Sequence, residues 1–176
     1  MKIIKTSILL FLLVLLGCSS STDSGGFEDA VGTVAPEFMY NSLDGQELAL
    51  SDFRGKVVYL FFYGAGCPHC RSNGSVTENI NQQFVSNSNF VALGLDTWNN
   101  SVSQNTSFRN TTGITYALLL SARQSLIDYY GNAGAYDRSV VIDANGLIAY
   151  KGSDFVNTDS EKVISIIEQE LSKMNQ

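Results

Sequence analysis

The amino-acid sequence predicts an α/β fold with a central mixed β-sheet flanked by helices. Residues 57–63 and 90–96 are apolar runs, rich in β-branched and aromatic side chains, with the length of buried strands. A stretch with helical spacing follows the first run, as in units that build parallel sheets. Residues 139–143 and 147–150 flank a turn that contains Asn145-Gly146, a strong hairpin signal that adds antiparallel strands.

The remaining elements of the front half are short or polar. Residues 47–50 are predicted to form a short strand and residues 51–55 a turn. A helix is expected over residues 68–85, with Gly74 as a weak point or kink. Pro68 suits its first turn, where the missing N–H costs nothing. One face of this helix is apolar and consists of Val76, Ile80 and Phe84.

The back half continues the alternation of strands and helices. Residues 97–112 are polar and are expected to form a loop or a marginal helix, and residues 116–120 a short strand. A helix over residues 124–130 is closed by Gly131. Residues 158–161 (Thr158-Asp159-Ser160-Glu161) match a capping box and are predicted to open the last helix. That helix has one apolar face, made of Val163, Ile167, Leu171 and Met174.

Composition limits the function classes. With 176 residues, 44% of them hydrophobic and 11% aromatic, the chain can form one globular domain and is not a disordered polypeptide. Its formal net charge of −6 and isoelectric point near 4.6 disfavour a nucleic-acid partner, which requires clustered Lys and Arg.

The N-terminus has the pattern of an export signal. Residues 1–17 contain two lysines followed by an apolar run that is shorter than a membrane-spanning helix. The run ends in Leu15-Leu16-Gly17-Cys18, which resembles the bacterial lipobox, in which the cysteine is lipidated. Residues 18–33 are then a flexible tether. This predicts a lipoprotein anchored to the bacterial envelope membrane, extracytoplasmic on the periplasmic or outer-membrane side.

Two cysteines remain, Cys67 and Cys70, in the spacing Cys-Pro-His-Cys. A closed zinc site usually needs four protein ligands, and His69 is the single histidine of the chain. A structural disulfide across two residues closes a very small loop and constrains little. A redox-active pair is therefore favoured over metal or structural roles. Cys67 is expected at a helix N-terminus, where backbone N–H groups stabilise a thiolate.

Several segments form a recognisable series along the chain: Ala35-Pro36-Glu37-Phe38, Leu43-Asp44-Gly45, residues 50–58, Cys67-Pro68-His69-Cys70, Tyr130-Gly131 and residues 141–146. In this order they resemble the membrane-tethered TlpA/ResA-like redoxins, relatives of the alkyl hydroperoxide reductase/thiol-specific antioxidant proteins. The resemblance covers about residues 34–170 and implies a thioredoxin-like fold with an N-terminal β extension, occupying residues 34–176.

The resemblance implies thiol–disulfide exchange on protein thiols and disulfides. Cys67 is then the exposed attacking thiolate and Cys70 the resolving thiol, while Pro68 and His69 tune the pair. The Cys-Pro-His-Cys centre also resembles that of Dsb-type oxidases, although His69 could be an ordinary exposed residue. No cofactor is implied, because the cysteine pair itself carries the two electrons. A membrane or soluble electron-transfer partner is expected.

The chain departs from this family in three places. The tryptophan that usually precedes the first cysteine is missing, and Trp98 is expected elsewhere, at a strand end. The position of the family's cis-proline is taken by Asp137, followed by Arg138. A carboxylate near Cys67 disfavours its thiolate and a guanidinium favours it, and the sequence leaves open which side chain points inward.

The third departure is that residues 97–112 lack a carboxylate for proton transfer. The nearest candidates, Asp96 and Glu78, are expected at a strand end or on the surface. A peroxidase on the same fold needs a threonine three residues and a proline seven residues before its cysteine, but Gly64 and Leu60 stand there. The sequence thus favours a reductase, with a Dsb-like oxidase or a non-catalytic binding module of the same fold as alternatives.

Overall fold

A computed structural model of the protein describes residues 30–132 and 134–175. The predicted signal at residues 1–17, Cys18 and the tether up to residue 29 lie outside the described residues. The elements in the described part are β1 (Met39–Asn41), β2 (Glu47–Ala49), β3 (Val57–Tyr63), α1 (Pro68–Phe84), β4 (Phe90–Asp96), α2 (Val102–Thr112), β5 (Ala117–Leu119), α3 (Arg123–Tyr130), β6 (Arg138–Ile142), β7 (Ile148–Lys151) and α4 (Val156–Lys173).

The strands form a central five-stranded mixed sheet in the order β5-β4-β3-β6-β7. Strands β3, β4 and β5 are parallel, whereas β6 and β7 run antiparallel. Strands β1 and β2 form a separate antiparallel pair, which is the N-terminal β extension. The predicted mixed sheet, flanked by helices in a thioredoxin-like fold, is therefore confirmed.

Strand β3 is the centre of the core, because every one of its residues is buried. Alternate side chains point to opposite faces of the sheet. Tyr59, Phe61 and Tyr63 pack with residues of α1, α2 and α4. Leu60 and Phe62 pack on the other face with residues of α3. The carboxyl end of β3 therefore leads into the cysteine segment from a rigid base.

The chain joins the sheet soon after residue 30. Gly32 N–H donates to Ile148 O at 2.8 Å, and Ala35 N–H donates to Gly146 O at 2.9 Å. Both acceptors belong to the β6–β7 hairpin, so residues 32–35 lie along its outer edge. Among the helices of the described residues, none is both long and apolar enough to cross a lipid bilayer.

Helices α1 and α2 pack more closely than the sequence indicated. The segment left open as a loop or a marginal helix contains α2, which starts in a capping box between Ser101 and Gln104. Helix α1 continues without a break through Gly74, where a weak point or kink was expected. A Cβ at Gly74 would lie 2.5 Å from Thr112 Cβ, and the glycine is needed for this close approach.

Helix α4 begins earlier than predicted. It starts at Val156 with Phe155 as N-cap, and no side chain caps it. The capping box at residues 158–161 is therefore wrong. Asp159 instead accepts a hydrogen bond from Tyr150 Oη at 2.8 Å, which ties α4 to β7. Burial of Asp159 against the sheet outweighs its local preference for a cap.

Candidate active site

The two cysteines lie at the junction between β3 and α1. Cys67 is the N-cap of α1, with φ −75° and ψ 122°, and Pro68 occupies the first helical turn. Cys70 N–H donates to Cys67 Sγ at 3.2 Å. Cys67 N–H in turn donates to Gly64 O at 2.9 Å, which closes a tight turn after β3. The prediction that Cys67 lies at the N-terminus of a helix is therefore confirmed.

Both thiols are free and buried. Cys67 is 1% exposed and Cys70 is 0% exposed. The expectation that Cys67 is exposed is therefore wrong. Its Sγ turns inward to accept the Cys70 amide and packs in the same apolar cluster as Tyr63 and Ala65.

Cys70 is a neutral thiol in this environment. Burial raises the pKa of the Cys70 thiol far above its ordinary value, because the apolar surroundings disfavour a thiolate. The hydrogen bond with Cys67 and the negative charge of Asp137 raise it further. The resolving role expected for Cys70 therefore requires a group that removes its proton during the reaction.

Asp137, at the position expected for the cis-proline, points inward. Asp137 is 0% exposed, and its backbone N–H donates to Phe62 O at 2.7 Å. In the described residues all peptide bonds are trans, and Asp137 has a left-handed backbone with φ 58°. Asn73 Nδ2 donates to Asp137 Oδ2 at 2.7 Å. Burial raises the pKa of Asp137, against the lowering effects of Asn73, Arg138 and His69.

Arg138, which is half-buried, and His69, which is exposed, both contact the ring of Phe155. The Arg138 guanidinium lies 4.8 Å from the centroid of the Phe155 ring. The His69 ring stacks on the same ring, with centroids 5.1 Å apart and an angle of 8° between planes. His69 and Pro68 are exposed, and Phe155 is 40% exposed. The question that the sequence left open is resolved: the Asp137 side chain faces the interior, whereas Arg138 is half-buried and contacts Phe155.

Trp98 lies against the segment that leads into Cys67, although it is distant in sequence. A Cβ at Gly64 would lie 2.6 Å from Trp98 Cγ, so the indole occupies the space above this glycine. Tyr136 contacts the indole edge-on, with ring centroids 5.0 Å apart. The expectation that Trp98 lies at a strand end is confirmed, since it follows the end of β4 by two residues. Its packing over Gly64 was not predicted, and it places an aromatic ring beside the segment that leads into Cys67.

Asp96 organises the loop that carries Trp98. It was expected to be a surface or strand-end residue, and it does stand at a strand end, but it is fully buried. It ends β4, but its carboxylate accepts hydrogen bonds from Trp98 N–H (3.2 Å), Asn100 N–H (2.6 Å) and Asn105 Nδ2 (3.0 Å). Asn100 Oδ1 accepts from Ala65 N–H at 2.8 Å. Burial raises the pKa of Asp96, against these hydrogen bonds.

The other candidate carboxylate has a different partner. Glu78 accepts hydrogen bonds from Thr115 N–H at 2.9 Å and from Thr115 Oγ1 at 2.8 Å, away from the cysteines. In the described part of the chain, no three His, Cys, Asp or Glu side chains gather into a metal-binding cluster. Asn73 was missed by sequence reasoning, because no local pattern marks a helical asparagine that contacts a loop 64 residues away.

Sequence comparisons show which family the chain belongs to and which known proteins it resembles. The family model described as redoxin matches residues 30–169. The chain is 29% identical over 147 residues to the thiol-disulfide oxidoreductase ResA of Geobacillus kaustophilus, covering 82% of each protein. It is 28% identical over 130 residues to the thiol-disulfide oxidoreductase ResA of Bacillus subtilis, covering 72% of this chain and 71% of that protein.

Solved structures support the same fold. The thioredoxin domain of a thiol-disulfide oxidoreductase from Bacteroides vulgatus superposes with a TM-score of 0.62 and 26% identity, over 77% of this chain and 98% of that one. A thiol:disulfide interchange protein from Bacteroides sp. matches with a TM-score of 0.66 and 22% identity, over 79% and 91% of the two chains. The chain is a thioredoxin-fold thiol–disulfide oxidoreductase, and it belongs to the redoxin family.

Proposed function

We propose that the protein reduces disulfide bonds in other proteins outside the cytoplasm, attached to a bacterial envelope membrane through a lipid on Cys18. The observation that carries the chemistry is the hydrogen bond from Cys70 N–H to Cys67 Sγ at the start of α1. Burial raises the pKa of the other thiol, Cys70, whereas the Cys67 sulfur lies at the N-terminus of α1 and accepts an N–H donor. Cys67 is therefore the attacking group.

The reaction has two exchange steps. Cys67 thiolate attacks one sulfur of a substrate disulfide, and the other substrate sulfur leaves as a thiolate. Cys70 then attacks Cys67 Sγ, loses its proton and releases the second substrate thiolate. The protein ends as a Cys67–Cys70 disulfide and has transferred two electrons. A membrane or soluble electron donor must reduce this disulfide before the next cycle.

The surroundings of the cysteines supply the rest of the site. Trp98 packs over Gly64, before Cys67, and contacts Tyr136. His69, two residues after Cys67, stacks on Phe155, which Arg138 also contacts. Because Cys67 is buried, we infer that the substrate displaces part of this aromatic surface. Pro68 and His69 tune the reduction potential of the pair.

Two observations support the activity and the place. The similarity to proteins named thiol-disulfide oxidoreductases extends over most of the chain, and the N-terminal residues 1–18 have the pattern of a lipoprotein signal. The predicted tether is shorter than residues 18–33, because residues 32 and 33 are hydrogen-bonded to the β6–β7 hairpin, and the segment before residue 30 would let the domain reach substrates near the membrane. No dissociable cofactor is needed, since the two sulfurs hold the electrons.

The alternative is a disulfide oxidase, and one observation favours it. His69 lies between the cysteines, where an imidazolium would stabilise the reduced thiolate and make the disulfide more oxidising. A binding module without redox activity is the third possibility, because the family's cis-proline is replaced by Asp137.

The reduction potential of the Cys67/Cys70 pair separates these functions. Full-length Cys18→Ser protein is equilibrated with glutathione buffers, alkylated and analysed by mass spectrometry. A potential near about −270 mV, the value of thioredoxin, supports the reductase. A potential near about −120 mV, the value of strong oxidants, refutes it in favour of the oxidase. Failure to form a Cys67–Cys70 disulfide leaves the binding module.

A further inference from the structure

The buried carboxyl group of Asp137 has one oxygen atom without a hydrogen bond. Asp137 is 0% exposed, and its Oδ2 accepts from Asn73 Nδ2 at 2.7 Å. Within residues 30–132 and 134–175, its Oδ1 has no hydrogen-bond partner. A buried carboxylate oxygen without a hydrogen bond costs free energy, and binding a proton at this oxygen reduces that cost.

Two hydrogen bonds and one electrostatic effect link Asp137 to the cysteine pair. Asn73, which holds it, lies on α1 three residues after Cys70, at nearly one helical turn. The Asp137 backbone N–H donates to Phe62 O, near the end of β3 that leads to Cys67. The charge of Asp137 also acts directly on the Cys70 thiol.

We propose that Asp137 Oδ1 accepts the proton of Cys70 when Cys70 resolves the mixed disulfide. In this step Cys70 Sγ attacks Cys67 Sγ, the bond between Cys67 and the substrate sulfur breaks, and the Cys67–Cys70 bond forms. The substrate sulfur leaves with the electron pair of the broken bond, and the Cys70 proton passes to Asp137. In the reverse reaction the same carboxyl group returns the proton to Cys70.

The burial of Cys70 explains why a protein base is needed. Cys70 is 0% exposed, and burial keeps its thiol neutral, so water is poorly placed to remove the proton. Burial also raises the pKa of Asp137 and makes it a stronger base than an exposed carboxylate. The charged or titratable groups that act on this site are Cys67, the N-cap of α1, His69 and Cys70 of α1, Arg138 of β6 and Tyr59 of β3.

This inference rests on the proposed function, and a two-phase assay separates the two. Reduced full-length Cys18→Ser protein, in which Cys67 and Cys70 are the only thiols, is mixed with the aromatic disulfide dithiobis(nitrobenzoate) in a stopped-flow spectrometer. Attack by Cys67 releases one coloured thiolate. Resolution by Cys70 releases the second, so the two steps appear as two phases.

Asp137→Asn removes the base and keeps the backbone, because Asn tolerates the left-handed conformation as well as Asp does. We expect the second phase to slow about 100-fold near pH 7 relative to the first phase, as for the loss of a general base. Asp159→Asn is the matched control. Asp159 is also a buried aspartate with an unpartnered Oδ1 in the described residues, but it is bound to Tyr150 instead of Asn73. Its second phase should match that of the parent protein.

The pH profile distinguishes a base from a merely structural residue. In the parent protein the second phase accelerates as pH rises through the titration of Asp137 and then levels off. In Asp137→Asn it rises with pH throughout, because solvent must take the proton, and the two profiles converge at high pH. Asn73→Ala removes a hydrogen bond that lowers the pKa of Asp137, and it shifts the parent profile to higher pH.

The outcomes are distinct. If the parent protein releases only one coloured thiolate, or none, the proposed function fails. If it shows both phases and Asp137→Asn retains the parent's second phase and pH profile, the role of Asp137 is refuted and the proposed function stands. An unshifted profile in Asn73→Ala also contradicts the role of Asp137.

Discussion

The contact between Trp98 and Gly64 predicts that Gly64→Ala damages the site. A Cβ at Gly64 would lie 2.6 Å from Trp98 Cγ and 2.7 Å from Trp98 Cε2, whereas carbon atoms in contact are separated by about 3.5–4.0 Å. The indole must therefore shift by about 1 Å, away from the edge-on position that it holds against Tyr136.

The cost follows from the size of this displacement. Forcing an extra methyl group into a packed site costs about 1–3 kcal/mol in the free energy of unfolding. A value of about 2 kcal/mol lowers Tm by about 4–8 °C for a chain of this length. Trp98 is the only tryptophan of the sequence. Its fluorescence therefore reports the displacement directly, as a red shift towards the emission of a solvated indole.

Gly66→Ala is the matched control. A Cβ at Gly66 would lie 3.7 Å from Trp98 Cζ3, an ordinary contact, so stability and emission should stay close to those of the parent protein. In a Trp98→Ala background, Gly64→Ala should cost far less, which gives the coupling energy of the pair. Gly64→Ala with unchanged Tm and unchanged emission would refute the packing described here.

Two further substitutions test the electrostatics. Asp159 has its pKa raised to about 6, mainly by burial, so its folded form holds a proton that the unfolded chain loses near pH 4. Binding of this proton stabilises the folded state, and this stabilisation is lost as pH rises from about 4 to about 6. The loss in the free energy of unfolding is about 3 kcal/mol if solvent screening is ignored and about 1–2 kcal/mol if it is included. Asp159→Asn should therefore be more stable than the parent protein at pH 7 and equal to it below about pH 4, as measured by urea unfolding; equal stability at both pH values contradicts this. His69→Ala should lower the reduction potential by about 30 mV, a tenfold change in the exchange equilibrium. A potential that stays the same would mean that His69 only stacks on Phe155.

Local sequence patterns were sufficient to predict the strands and the helix start that hold the two cysteines. Strands β3 and β4 have the predicted bounds, because long apolar runs between turn residues leave few alternatives. Pro68 and the cysteine spacing likewise located the start of α1. The capping pattern at residues 158–161 failed because Asp159 has a long-range partner, Tyr150, that no local rule considers.

The parts of the site that sequence reasoning missed depend on contacts between distant residues. Trp98 reaches Gly64 through a loop held by Asp96, and a missing aromatic before Cys67 gave no indication of this replacement. The direction of Asp137 depends on its left-handed backbone, with φ 58°. That conformation turns the carboxyl group towards Asn73, and residue type alone does not specify it.

The most direct test of the central claim is the trapping of a mixed disulfide. Full-length Cys18→Ser protein carrying Cys70→Ser, or carrying Cys67→Ser instead, is mixed with a disulfide-containing protein such as insulin. Adducts are then identified by non-reducing electrophoresis and peptide mass mapping. We predict that the Cys70→Ser protein accumulates an adduct on Cys67, released by dithiothreitol, and that the Cys67→Ser protein accumulates little. Equal trapping on Cys70, or no adduct on either cysteine, would contradict the assignment of Cys67 as the attacking sulfur.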